Sequence, residues 1–196
     1  MSAAARPYLC AMRARHILFS TLSLVALAAP AVAQQHKPAK PVVHTARPAG
    51  GPAAIGHFDD WTAATNKEAG QTVCYAFTRA SASTPAIAGR GDVVLTVTQR
   101  PGGTRDAVAL SAGFAYAANA EVSVQVEQAS LPFYTAQRSA FSRDGHAAIT
   151  ALERGRQAVA KSPGPRNTAV TDTFSLRGFA PAYAAMNKAC PPLKAG

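Results

Sequence analysis

The chain has 196 residues and a formal net charge of +10, with 20 basic and 10 acidic residues. This length suits a single domain of ordinary size. Six of the basic residues precede residue 55, so residues 55–196 carry 14 basic against 10 acidic residues, a net charge of +4. That balance is too weak for a typical nucleic-acid-binding domain, and no nucleic acid is predicted as a partner.

Residues 1–33 have the three parts of a secretory signal peptide. Three arginines make a basic start, an apolar run covers residues 17–29, and small residues follow, so cleavage is expected between Ala33 and Gln34. The apolar run is about 13 residues long, whereas a membrane-spanning helix needs about 20. We therefore predict a cleaved signal, no membrane span after cleavage, and export to the periplasm, with association with the outer membrane or secretion as the alternatives.

Residues 34–54 are rich in proline, alanine, glycine and lysine and have almost no large apolar side chain. A segment of this composition buries too little apolar surface to fold, so it is predicted to be a disordered linker. Residues 55–196 are predicted to form the folded domain.

From residue 55 onward, apolar and polar residues alternate with a period of two, in short runs separated by glycine, proline and asparagine. The run 120–127 shows this most clearly, because Val122, Val124 and Val126 fall on one face and polar residues on the other. Such runs predict a mainly β domain, an antiparallel sandwich or barrel-like structure. The predicted strands cover 58–65, 72–79, 92–100, 106–114, 120–127, 131–135, 157–161 and 169–176. A turn at 101–103 would join the third and fourth of these strands as a hairpin.

Two short helices are predicted among the strands. Asp144 is placed to cap the first helix, which would run to about residue 153 and stop at Gly155. The second helix would begin near Ala180 and end before Pro191, close to the C-terminus.

The two cysteines that remain after signal cleavage, Cys74 and Cys190, are predicted to form a disulfide. An even pair of cysteines in an oxidising compartment indicates such a bridge. Cys190 shares a helix face with Phe179, Tyr183 and Met186, so it is expected to point into the domain. The chain has no C-x-x-C motif for redox catalysis and no histidine cluster to complete a metal site.

Catalytic signatures are sparse in this sequence. A hydrolase would have to combine His146 as base, Asp172 as the residue that orients it, and Ser175 as nucleophile, without the usual motif around the serine. Asp59 and Asp60 are adjacent in a predicted strand, so their carboxylates are expected on opposite faces. No phosphate-binding loop, dinucleotide motif or metal-binding motif occurs. We predict no catalytic residue, cofactor or metal, and an envelope hydrolase using His146 stays as the alternative.

Arginine outnumbers lysine by 10 to 4 in residues 55–196. Arg138, Arg143, Arg154 and Arg156 lie around the first predicted helix, and guanidinium groups bind phosphate and carboxylate in a bidentate manner. These four residues are candidate anion contacts, so a module that binds lipopolysaccharide or peptidoglycan is a second alternative. A GC-rich genome that encodes arginine by default would account for the same excess.

Four short motifs occur in the order found in a known family. They are Phe58-Asp59-Asp60-Trp61, Val73-Cys74-Tyr75, Ala140-Phe141 leading into Asp144-Gly145, and Phe174-Ser175-Leu176-Arg177-Gly178-Phe179 followed by Ala182-Tyr183. The chain therefore resembles the invasion-associated locus B family of exported proteobacterial proteins. The resemblance implies a single β-rich domain in the periplasm or envelope, a link to host-cell invasion, and no enzymatic activity. The predicted partner is an envelope protein or glycan whose identity the sequence does not give.

Overall fold

The computed structural model describes residues 51–192, which form eleven β-strands and two α-helices. The predicted signal peptide, its cleavage point between Ala33 and Gln34, and most of the predicted linker lie outside the described residues. The strands are β1 (Ala53–Phe58), β2 (Trp61–Glu68), β3 (Gln71–Arg79), β4 (Ala82–Thr84), β5 (Val94–Gln99), β6 (Ala107–Ser111), β7 (Glu121–Val126), β8 (Ala129–Ala136), β9 (Ser139–Ser142), β10 (Gln157–Pro163) and β11 (Ala169–Ser175). The helices are α1 (Gly145–Arg154) and α2 (Phe179–Ala189).

All eleven strands belong to one antiparallel sheet, in the order β1-β2-β3-β5-β6-β9-β8-β7-β10-β11-β4. Strands β1 and β4 are the two edges, so the sheet formed by the described strands is not closed. It nevertheless curves back on itself, because the Trp61 indole on β2 donates to the Ser175 carbonyl on β11 at 2.9 Å. The predicted mainly β, antiparallel class with two short helices is confirmed, and the barrel-like curvature comes from a single open sheet.

Alternation along the strands separates a buried inner face from a solvent-facing outer face. Val122, Val124 and Val126 on β7 are each at most 2% exposed, while Glu121 and Ser123 face the solvent. Strands β5 and β6 pair as the predicted hairpin, with Thr98 opposite Ala107. The inner face of the sheet and both helices share one hydrophobic cluster, which buries the apolar side chains that stabilise the domain.

Helix α1 begins and ends where the sequence predicts. The Asp144 side chain accepts a hydrogen bond from the Ala147 backbone N–H at 2.9 Å, which satisfies one of the free donors of the first turn. The N–H of Gly155 donates to the Ala151 carbonyl at 2.9 Å and closes the last turn. Its predicted apolar stripe is buried and consists of Ala148, Ile149 and Leu152.

Helix α2 packs against the inner face and is fixed to the sheet at its C-terminal end. Cys190 follows the last helical residue and forms a disulfide with Cys74 on β3, and their Cα atoms are 6.0 Å apart. The Arg105 guanidinium also donates to the Cys190 carbonyl at 2.9 Å and to Asn187 Oδ1 at 2.8 Å. These contacts satisfy acceptors at the helix C-terminus, where cationic groups are favourable.

Three strands of the structure have no counterpart in the prediction: β1, β4 and β9. The predicted strand at 58–65 begins too early, because Asp59 and Asp60 form a tight turn after β1 and the next strand, β2, begins at Trp61. Strand β1 begins at Ala53, two residues before the predicted start of the domain. Within residues 51–192, no helix has the length and apolar character needed to cross a membrane.

Candidate functional site

Two of the sequence motifs meet at one place on the surface. The turn after Phe58 and the segment after β11 are far apart in the chain, yet the Asp60 N–H donates to the Arg177 carbonyl at 3.3 Å. The hydrogen bond from the Trp61 indole to the Ser175 carbonyl lies beside it. We call this contact between the β1–β2 turn and residues 175–178 the motif junction.

Gly178 is required at the motif junction for two separate reasons. Its φ is +88°, a left-handed conformation that side chains with a Cβ adopt at a cost. In addition, a Cβ built at this position would lie 1.9 Å from the Phe58 carbonyl oxygen. The segment after β11 therefore lies so close to the β1–β2 turn that only glycine fits at position 178.

Behind the junction, Trp61 and Phe179 form the packing that orients the start of α2. Both side chains are 1% exposed, and their ring centroids are 4.7 Å apart in an edge-to-face arrangement. Such aromatic pairs are favourable beyond the area they bury. The first residue of α2 is thereby fixed relative to β2, and the turn that carries the polar groups rests on a rigid base.

The charged groups of the junction contact each other. The Arg177 guanidinium lies 3.8 Å from Asp59 and 3.6 Å from Asp60, and the Ser175 hydroxyl donates to Asp60 Oδ2 at 2.7 Å. The prediction that the two carboxylates lie on opposite faces of a strand is wrong, because both residues are in the β1–β2 turn. Asp59 has a φ of +48°, which turns the chain and leaves both carboxylates near one arginine.

An open cleft of about 350 Å³ lies directly beside the junction. We call it the Asp60 cleft; its lining residues are Asp60, Thr62, Phe77, Thr78, Arg79, Ser81 and Ser175. The buried Thr78 hydroxyl donates to the Asp60 carbonyl at 2.7 Å, which fixes the floor of the cleft. Arg79 is paired with Asp92 at 2.6 Å, and both side chains are more than half exposed. The cleft therefore offers hydrogen-bond donors, acceptors and one aromatic wall to a ligand from the solvent.

The three residues of the hydrolase alternative have separate environments. His146 is exposed in the first turn of α1, and the Ser175 hydroxyl is bound to Asp60. Asp172 lies on the inner face of β11 and Ser175 on the outer face, so one strand directs their side chains to opposite sides. The structure does not bring these three residues together as a catalytic triad.

Asp172 instead belongs to a buried ion pair that the sequence does not predict. Its two carboxylate oxygens accept from the Arg90 guanidinium at 2.8 and 2.7 Å, and the side chains are 1% and 7% exposed respectively. Arg90 also donates to the Ala112 carbonyl at 2.7 Å and lies over the Phe114 ring. Burial raises the pKa of the neighbouring Tyr116 to about 12. The ion pair ties the loop before β5 to β11 and is a structural element.

The four candidate anion contacts do not form one patch. Arg138 lies in the β8–β9 turn and Arg156 lies beside the β7–β8 turn, at opposite ends of β8 and about 25 Å apart along that strand. Three of the four guanidinium groups already have acceptors: Arg138 bonds the Gly113 carbonyl, Arg143 pairs with Glu121, and Arg156 pairs with Glu127. Arg154 is exposed in the last turn of α1. Within residues 51–192, no group of three or more potential metal ligands clusters.

Comparison with known proteins agrees with the fold and with the motifs. A family model described as invasion associated locus B (IalB) protein matches residues 61–187, more than half of the chain. Among solved structures, the crystal structure of invasion associated protein B from Bartonella henselae is similar, with 17% sequence identity and a TM-score of 0.50. The match covers 68% of this chain and 95% of that chain, and at this identity it supports the fold alone. No curated protein matches the sequence. The chain belongs to the invasion associated locus B family.

Proposed function

We propose that this protein is an exported accessory protein of the bacterial envelope, located in the periplasm, that binds a protein or another envelope component without catalysing a reaction. The apolar run at 17–29 and the small residues before Gln34 support export. The disulfide between Cys74 and Cys190 suits an oxidising compartment. A contribution to host interaction is part of the same proposal, supported by the description of the family.

The observation that carries the binding proposal is the Asp60 cleft at the motif junction. Its polar groups are held in place before any ligand arrives, since Thr78 and Ser175 both donate to Asp60 at 2.7 Å. Preorganised groups lose little conformational entropy when a ligand binds, which favours recognition. The cleft is open to solvent and combines an aromatic wall at Phe77 with charged groups of both signs.

The hydrogen bonds of Ser175 favour binding over hydrolysis at this cleft. The hydroxyl donates its proton to Asp60 and accepts from the Arg177 N–H at 3.3 Å. A nucleophilic serine needs a base that removes its proton, which is most often histidine. Here the carboxylate and the hydroxyl instead hold the backbone turn of the motif junction, a structural use of both groups.

Site-specific photocrosslinking in intact cells tests this proposal. A photoreactive amino acid in place of Ser81, at the rim of the cleft, is expected to give a reproducible adduct with an envelope component when the protein carries its native signal. The same amino acid in place of Ala118, in the loop between β6 and β7, is the positional control. Adducts of equal yield at both positions, or at neither, would contradict binding through the cleft.

A matched pair of arginine variants sharpens this experiment. Arg79→Ala removes an exposed guanidinium from the cleft, and Arg154→Ala removes an exposed one from α1. Surface substitutions of this kind usually change stability by no more than about 0.5 kcal/mol, so both variants should fold. We expect the adduct at position 81 to weaken in Arg79→Ala alone. A loss in Arg154→Ala alone would instead favour the anion-binding alternative.

A further inference from the structure

The outer face of the curved sheet carries a row of side chains that the Asp60 cleft does not account for. Seven residues on seven successive strands lie in register: Thr62, Phe77, Thr96, Ala109, Phe141, Tyr134 and Glu121. We call this set the outer row. With neighbouring strands about 4.8 Å apart, the row is roughly 29 Å long when measured along the curved sheet. Thr62 and Phe77 also line the Asp60 cleft, so the row begins there.

Aromatic rings are the distinctive members of the outer row. Tyr134 is 45% exposed and stacks on Phe141, with ring centroids 5.6 Å apart. Phe77 packs beside Tyr75 of the same outer face, with centroids 6.2 Å apart. The solvent face of an antiparallel sheet normally carries polar side chains, so four aromatic rings on it are unusual. The two pairs stand about 14 Å apart, because three strand spacings separate Phe77 from Phe141.

The side chains between the two aromatic pairs are small. Thr96 and Ala109 occupy the positions between Phe77 and Phe141. A ligand chain that follows the curve of the sheet would therefore contact one aromatic pair at each end. Threonine hydroxyls would be available to it between them.

The charges that flank the outer row cancel in pairs. Three exposed ion pairs lie at the row or beside it: Arg79 with Asp92, Arg100 with Glu68, and Arg143 with Glu121, the last residue of the row. Arg143 also lies over the Tyr134 ring, 5.7 Å from its centroid. A polyanion or a polycation would meet equal numbers of attractive and repulsive charges on this surface. An uncharged ligand rich in hydroxyl groups can use the guanidinium donors and the carboxylate acceptors together.

Backbone pairing argues against a peptide ligand added as an extra strand. Every strand of the outer row, from β2 to β7 in the sheet order, is paired on both sides. Its backbone N–H and carbonyl groups are therefore used within the sheet, and only side chains remain to bind a ligand. The aromatic pairs are also separated by Thr96 and Ala109, whereas protein interfaces favour a contiguous apolar patch.

We infer that the outer row binds an uncharged glycan chain of the envelope, with the apolar faces of its sugar rings packed against the exposed parts of the Tyr75–Phe77 and Tyr134–Phe141 pairs. This inference rests on the proposed binding function and names the ligand class. Burial of apolar C–H groups against the aromatic faces supplies affinity. Hydrogen bonds from the sugar hydroxyls to the flanking ion pairs fix the orientation of the chain.

Titration calorimetry with two uncharged hexasaccharides, chitohexaose and cellohexaose, tests the inference on the processed, disulfide-bonded protein. We expect at least one to bind, with an affinity that changes little between low and high salt. Tyr134→Ala should weaken binding about tenfold, as loss of one aromatic contact implies. Ile55→Ala removes the exposed apolar side chain of β1, outside the row, and should leave affinity unchanged.

Any of the following results overturns the inference of a glycan site. Binding of neither hexasaccharide, or equal affinity in Tyr134→Ala and the unchanged protein, removes the glycan site. Salt-sensitive binding of a sulfated polysaccharide in their place would assign an anion site. A protein crosslinked through a photoreactive group at position 134 would assign a protein interface. The proposed function fails separately, because it is tested by the adduct at position 81 and not by the sugars.

Discussion

Loss of the disulfide between Cys74 and Cys190 is expected to destabilise the domain strongly. The bridged residues are 116 positions apart in the sequence. In the chain-entropy model, breaking a bridge that closes a loop of this length raises the entropy of the unfolded chain by about 16 cal/mol/K. This gain lowers the free energy of unfolding by about 5 kcal/mol at 25 °C. Since domains of this kind have a free energy of unfolding of about 5 to 15 kcal/mol, this is a large share of the total. For a domain of this size it corresponds to a Tm lower by about 15 °C.

The replacement residue matters, because both cysteines are buried. Cys74 is 0% exposed and Cys190 is 1% exposed, so Cys190→Ser places a hydroxyl in an apolar site and adds a desolvation cost. The double variant Cys74→Ala with Cys190→Ala avoids that cost and leaves only a small cavity. It is therefore the cleaner measure of the bridge. The fold should persist, because Arg105 still holds the C-terminal end of α2.

Thermal unfolding followed by circular dichroism, with and without reductant, decides the question. The oxidised protein should unfold well above the double alanine variant, and the reduced protein should unfold close to that variant. If the oxidised protein and the double variant have the same Tm, the bridge does not stabilise the domain and the entropic reasoning is refuted. If reductant lowers the Tm of the double variant as well, the effect of reductant does not come from this bridge.

Three further predictions concern the backbone, the buried ion pair and export. Gly178→Ala should lower the free energy of unfolding measured in urea titrations by about 3 kcal/mol or more, because the new Cβ meets a backbone oxygen. Gly89 has a similar positive φ but open space around it, so Gly89→Ala should lower the free energy of unfolding by only about 1 kcal/mol. Asp172→Ala leaves the Arg90 guanidinium buried without a counter-ion and should lower the free energy of unfolding by about 3 to 5 kcal/mol. The double variant Arg90→Met with Asp172→Leu should recover most of this loss of stability, and no recovery would show that the ion pair itself is needed. Intact-mass measurement of the exported protein should find cleavage after Ala33, and an unprocessed N-terminus would contradict the signal peptide.

Most of the strands and helices are predictable from the sequence, because alternation and helix capping depend on residues only a few positions apart. The period-two run of β7 needs only Val122, Val124 and Val126 to identify its buried face. Asp144 predicts the start of α1 through one hydrogen bond three residues away. Strand β4 has three exposed residues, 82–84, and its pairing with β11 is set by tertiary contacts, so no local pattern marks it.

The motif junction and the ion pair join residues that are far apart in the sequence, so no local pattern marks them. The alternation at 58–65 predicts one strand, although Asp59 and Asp60 turn the chain, so the sequence places neither carboxylate near Arg177. One usable signal existed for the ion pair. Asp172 falls on the apolar face of β11, and a buried carboxylate requires a partner. The identity of that partner, 82 residues away, depends on the fold.

The motif residues stabilise the fold, whereas the exposed residues of the proposed binding surface do not. This difference limits what family membership can indicate about function. Trp61, Ser175 and Gly178 each satisfy a backbone or packing requirement of the junction, so any chain with this geometry needs them or close substitutes. Tyr134 satisfies no such requirement, since it is 45% exposed and its replacement leaves the core intact. A fold match at 17% identity therefore indicates a common scaffold. Under the binding proposal, ligand choice is expected to reside in exposed outer-face positions such as Arg79 and Tyr134, which the scaffold does not require.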